Sequence, residues 1–285
     1  MSNIHLGFKA YDVHELLCHG IAETGGFYAS AGISVKLLDT TFLPDDALPD
    51  NTFHVACGAA LASFLSGRKR KVVFVACDRP MFWVYGRPGI DSIRQLAKGR
   101  VATFPETAPP ARFLQSRLKQ EGIAPGLLPC RDDVARLAML ASGSADGAIL
   151  SSLYMPAEVQ RRGCKLLVSI GDSLRLPSTG LAVSQDLFDE QPGLVADMVN
   201  VYQQAMKCVF DDDQRLLRKV LVDTFSIHET CLDSAVAVIR DCYNPFGYSY
   251  DDLLKSAVDK MAAGMGLATR QPGELYDFKY IKSHN

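Results

Sequence analysis

The chain has 285 residues, 48% of them hydrophobic and 22% charged, enough apolar side chain for a large buried core and too much for a disordered chain. Its formal net charge is −2 and its longest basic run is only Arg68-Lys69-Arg70-Lys71, so a nucleic-acid partner is not expected. No run of about 18 apolar residues is present to span a bilayer. Met1-Ser2-Asn3 leads into a strand pattern without an export signal, and the eight cysteines are scattered without paired or zinc-type spacing. These features predict a cytoplasmic protein with reduced thiols, no bound metal and no membrane insertion.

Apolar, β-prone residues predict a first strand over 4–8, and helical spacing predicts a helix over 13–23 closed by Gly25-Gly26. Ala31-Gly32 turns the chain into a second strand over 33–38. A loop over 40–51 and an apolar, small-residue helix or strand–helix junction over 55–66 precede buried strands over 71–77 and 81–85. A turn, a short helix and a strand fill 86–103. Helices over 109–121, 132–141 and 155–162 then alternate with strands over 145–150 and 165–170. Such alternation favours parallel or mixed sheets covered on both faces. Residues 179–183 read as a return crossing, and helices over 192–210, 213–224, 231–243 and 250–263 pack back on the first part of the chain. Residues 270–285 read as a polar tail, within which Tyr276–Tyr280 is placed to brace the first strands.

The stretch Gly20–Leu38, with Gly26-Phe27-Tyr28 and Ala31-Gly32-Ile33 leading into Val35, followed by Phe53–Leu65, carries a resemblance. It resembles the family that contains the alkanesulfonate-, taurine- and nitrate-binding proteins of ABC importers and the fungal thiamine-pyrimidine synthases, over roughly residues 3–245. The resemblance implies an α/β, two-lobed, periplasmic-binding-protein-like type II fold. Each lobe would be a mixed sheet flanked by helices, with a ligand cleft between residues 1–86 plus 184–285 and residues 87–183.

In open α/β sheets ligands sit beyond the carboxyl ends of the strands, which selects the loops after each strand. Lys9, Tyr11, Asp12 and His14 supply a cation, a hydroxyl, a carboxylate and an imidazole after the first strand. His14 is the candidate general acid or base, with Asp12 or Glu15 orienting it. Cys57 is the candidate thiol nucleophile and Gly58 a point of close approach. Glu106 and Thr107, before Pro109-Pro110 and a helix, suggest an anion held on free backbone N–H groups. Ser152, Tyr154 and Ser178 complete the candidate ligand residues. Aryl-sulfinate desulfinases of similar architecture carry a catalytic cysteine near where Val13 stands here, so that activity is not expected.

No dinucleotide fingerprint, phosphate loop or metal constellation stands out, and no cofactor is expected. Two functions follow. The first is a cofactor-independent lyase, a decarboxylase or dehydratase acting on a small polar or anionic, aromatic carboxylate or sulfonate. The alternative is the substrate-binding protein of an importer for sulfonate-, nitrate- or pyrimidine-like solutes. The partners expected are a small-molecule ligand and, as an option, a second copy of the chain in a homodimer.

Overall fold

Strand β1 (Ser2–Phe8) alternates, with Ile4 and Leu6 buried, and is flanked on both sides by parallel partners, β2 (Ile33–Asp39) and β3 (Thr52–His54). Between β1 and β2 lie α1 (Val13–Thr24) and the short α2 (Phe27–Ser30). Asp12 caps α1 by accepting the Glu15 N–H at 3.0 Å, and Gly26 at φ +70° lets the chain turn away beyond it. Helix α3 (Cys57–Leu65) leads to β4 (Arg70–Cys77). The structure is a computed structural model that describes residues 1–106 and 108–282.

The chain then runs through β5 (Trp83–Gly86), β6 (Arg100–Thr103), α4 (Pro109–Gln120), β7 (Gly126–Pro129), α5 (Asp133–Ala141), β8 (Gly147–Leu150), α6 (Pro156–Gln160), β9 (Lys165–Ser169) and α7 (Ile170–Ser173). It continues with β10 (Thr179–Ser184), α8 (Gln185–Glu190), α9 (Pro192–Phe210), α10 (Arg215–Asp223), α11 (Leu232–Cys242), α12 (Asp251–Met265) and α13 (Pro272–Leu275).

The chain divides into two compact units. Unit 1 comprises Met1–Arg79, Arg175–Phe225 and Ile239–Asn285; unit 2 comprises Pro80–Leu174 and Ser226–Val238. The expected boundaries, after 86 and after 183, differ because hydrogen bonding recruits each flanking strand to the other sheet. β5 pairs antiparallel with β8 and β9, and β10 pairs antiparallel with β3 and β4.

Each unit holds a five-stranded mixed sheet flanked by helices. In unit 1 the order is β2-β1-β3-β10-β4, and in unit 2 it is β7-β6-β8-β5-β9. The two orders are the same arrangement: four strands run parallel, and one antiparallel strand, laid down as the chain enters or re-enters the unit, sits between the third and fourth. β7 and the short β3 are strands that apolar periodicity does not announce, because they are only four and three residues long.

Edge strand β4 is covered along its outer side. Asn244 N–H donates to Ala76 O at 2.8 Å, Val75 N–H to Gly247 O at 2.7 Å, and Asp277 N–H to Val72 O at 3.1 Å. Residues 276–277 thus brace the first sheet. The core of unit 2 gathers Val84, Leu96, Val101, Leu114 and Ile149. No helix among the described residues is long and apolar enough to cross a membrane.

Candidate ligand-binding site

In unit 1 the parallel strands β1, β2, β3 and β4 all end on one edge, and the start of β10 joins them there. Two imidazole–hydroxyl–carbonyl chains organise that edge. His14 Nε2 lies 2.9 Å from Ser178 Oγ, and Ser178 donates its only proton to Cys77 O at 2.9 Å. The imidazole is therefore the donor to Ser178. His54 Nδ1 accepts the Ala56 N–H at 3.1 Å, so its Nε2 carries the proton and donates to Thr40 Oγ1 at 2.8 Å; Thr40 donates onward to Phe8 O at 2.8 Å. In each chain the hydroxyl gives a second hydrogen bond to a strand-end carbonyl that already accepts the backbone N–H of the same residue, Ser178 N–H to Cys77 O at 2.9 Å and Thr40 N–H to Phe8 O at 2.8 Å.

This arrangement does not favour proton transfer by His14. The ring is buried, and burial pulls its pKa down to about 3. Burial thus disfavours the imidazolium that a proton-transfer role would pass through. Asp12 is buried and holds the start of α1. Glu15, half-buried, accepts the N–H groups of Lys9 at 2.7 Å and Ala10 at 3.2 Å through Oε2, which shapes the loop after β1. Burial, then the Asp12 charge, push the Glu15 pKa up to about 8.

Cys57 is not an activated thiol. It is fully buried, its Sγ 3.7 Å from Phe74 O, and desolvation raises its pKa far above the ordinary thiol range. Gly58 is placed where a side chain would meet nothing, but its N–H already donates to Ser178 O at 3.2 Å. Lys9 is exposed, with Nζ donating to Thr40 O at 3.2 Å, and Tyr11 is exposed against the edge of Phe8. Thr179, buried beside Ser178, has a hydroxyl without a hydrogen-bond partner in the structure. A cavity of about 20 Å³ lined by Lys9, His54, Ser63 and Arg70 among others holds no more than a water.

In unit 2 the described residues at the start of α4 leave few free N–H groups for the anion site expected there. Pro109 and Pro110 bring no N–H, and those of Ala108 and Ala111 are bonded to Pro105 O and Ala108 O at 2.8 and 3.1 Å. Glu106 is exposed; Thr107 lies outside the described residues. Ser152 is fully buried just past β8, and Tyr154 is half-buried with the Arg162 guanidinium 5.7 Å from its ring. These two share the carboxyl edge of β6, β7 and β8 with a network that composition did not single out. Arg136, fully buried, donates from Nε to Ile149 O at 2.9 Å and from Nη1 to Cys130 O and Arg131 O at 2.6 and 2.8 Å. Its Nη2 meets Asp133 Oδ1 at 2.5 Å, and its guanidinium lies 3.5 Å over the Phe104 ring. The signal available in the sequence was spacing: Arg136 shares a helix face with Leu137 and Leu140, while Val134 is exposed. Among the described residues no cluster of three or more His, Cys, Asp or Glu is arranged to hold a metal.

No protein-family model matches the sequence, and no curated protein does. Solved structures match along nearly the whole chain. A protein from Bordetella bronchiseptica RB50 superposes with a TM-score of 0.77 at 16% identity, covering 99% of this chain and 96% of that one. The alkanesulfonate-binding protein SsuA from Xanthomonas axonopodis pv. citri, bound to MOPS, superposes with a TM-score of 0.74 at 13% identity over 97% of this chain and 99% of that one. A cysteine-to-serine mutant of DszB in complex with biphenyl-2-sulfinic acid gives a TM-score of 0.74 at 16% identity over 99% and 98%. With two mixed sheets of the same strand order and these likenesses, the chain has the periplasmic-binding-protein-like type II fold.

Proposed function

We infer that this protein binds a small anionic organic solute, a sulfonate or carboxylate, as the solute-binding component of an importer. The observation that carries this reading is the likeness, along 97% of the chain, to an alkanesulfonate-binding protein. The chemistry of the unit 1 edge supports it. Lys9 supplies an ammonium, the Thr179 hydroxyl has no partner in the structure, and the exposed Tyr11 ring offers an apolar surface for the body of the solute. The lyase reading has less support, since burial disfavours both the His14 imidazolium and the Cys57 thiolate.

The test is to incubate purified protein with a panel of sulfonates and carboxylates and to quantify bound and free molecules by mass spectrometry. One compound retained intact at one equivalent, more weakly by Lys9→Met, is the expected result. Steady depletion of a compound with appearance of a smaller product overturns the reading in favour of a lyase. Fractionation of cells expressing the full-length chain gives a second discrimination, because an importer component works outside the cytoplasmic membrane.

A further inference from the structure

Helix α5 turns a guanidinium inward where an aliphatic side chain would pack without desolvation. What the guanidinium gains there is reach across two loops and a neighbouring strand on the carboxyl edge of unit 2. It lies on the Phe104 ring just past β6. It binds the carbonyls of Cys130 and Arg131 just past β7, and that of Ile149 within β8. Its carboxylate partner, Asp133, extends the reach: Oδ1 accepts the Ser151 N–H at 3.1 Å and Oδ2 the Ser151 hydroxyl at 2.9 Å. Leu153 N–H donates to Ser151 Oγ at 3.3 Å, and Tyr154 N–H to Ser151 O at 3.2 Å. The chain of contacts therefore runs from Arg136 to the backbone that presents Ser152 and Tyr154.

We propose that Arg136 is a positioning residue: through Asp133 and Ser151 it holds the loop Ser151–Tyr154 in the geometry that receives the solute, and so sets affinity without touching the solute. The effect on affinity rests on the solute-binding reading above; the effect on the loop does not. A lysine keeps the charge but lacks the planar fork that serves three carbonyls, a carboxylate and a ring at once, so it does not substitute. Support of this kind is what keeps a binding group within the narrow tolerance that recognition requires.

Two variants test the proposal, Arg136→Lys and Ser151→Ala, the second removing only the hydroxyl that meets Asp133. In ligand-free protein, hydrogen exchange of the peptide covering residues 151–154 is expected to quicken about tenfold in Arg136→Lys, with the peptides of β6 and α4 at wild-type rates. Affinity for the probe MOPS is expected to fall about tenfold in Arg136→Lys and several-fold in Ser151→Ala, each measured at a temperature where the variant is fully folded. Wild-type exchange in the 151–154 peptide, or quickening spread evenly through unit 2, overturns the proposal and leaves Arg136 a purely structural residue. If Arg136→Lys does not fold, Ser151→Ala carries both readouts. Failure of the wild-type protein to bind MOPS or any other sulfonate or carboxylate overturns the solute reading instead, and the exchange measurement still decides the positioning claim.

Discussion

His14 and Ser178, 164 residues apart in the chain, meet at 2.9 Å, and the serine's single proton is already given to Cys77 O. The pair is a structural clasp at the end of unit 1's sheet, with the imidazole as donor. Ser178→Ala leaves the buried imidazole N–H without its acceptor and is expected to destabilise the protein by about 1–3 kcal/mol in urea unfolding. Unchanged stability would show that the clasp contributes nothing.

The same ring makes stability depend on pH. Its folded pKa, about 3, lies below the ordinary 6.5, so between these values the unfolded chain binds a proton that the native state refuses. The contribution is complete above pH 6.5 and is lost as pH falls towards 3, at up to about 1.4 kcal/mol per pH unit. Urea midpoints from pH 7 to 4 are expected to fall less steeply in His14→Gln than in wild type; parallel curves would contradict the assignment.

Glu15 behaves oppositely. Its folded pKa, about 8, stands above the ordinary 4.5, so the native state keeps a proton that the unfolded chain releases, and stability declines as pH rises from 4.5 through 8. Glu15→Gln retains an acceptor for the Lys9 and Ala10 N–H groups and removes the charge. It is expected to be more stable than wild type at pH 8.5 by about 1–2 kcal/mol, less than full linkage allows because the group is only half-buried. A variant less stable than wild type at that pH would mean the carboxylate is favoured where it sits.

Gly247 accepts the Val75 N–H on the outer side of β4 while at φ +78°, and a Cβ there would lie 2.3 Å from the Phe74 ring. Gly247→Ala is expected to destabilise by about 2–4 kcal/mol, combining backbone strain with overpacking. Chemical denaturation within about 0.5 kcal/mol of wild type would show that the edge cover relaxes freely.

Cys57 is expected to resist iodoacetamide in the native protein, while the half-exposed Cys130 is labelled, as read by peptide mass spectrometry. Cys57→Ala is expected to leave affinity for a bound sulfonate within about twofold. Preferential labelling of Cys57 would reopen nucleophilic chemistry at this position.

Much of the fold is legible in local sequence. The alternation of Ile4 and Leu6, the cap at Asp12, the helical face of α1 and the glycines after it are all set by neighbouring residues, and the structure has them where periodicity puts them. The site was less legible. Lys9, Tyr11, His14 and Ser178 do gather on one edge of one sheet, because they follow or precede strands that end together. Their chemistry is not legible locally, since burial by residues distant in sequence pulls the His14 pKa down and pushes the Cys57 pKa up. Arg136 was passed over because an arginine is ordinarily exposed; only the helix face it shares with Leu137 and Leu140 hinted otherwise.

The sequence by itself determined the strand–helix alternation and the turns, because these rest on local propensity and on periods of two and 3.6 residues. Only the tertiary structure decided which sheet takes β5 and β10, which proton each imidazole keeps, and which loops Arg136 ties together. Those outcomes are pairings between groups tens to hundreds of residues apart, and their energies arise from desolvation and hydrogen-bond geometry that exist only once the chain has folded.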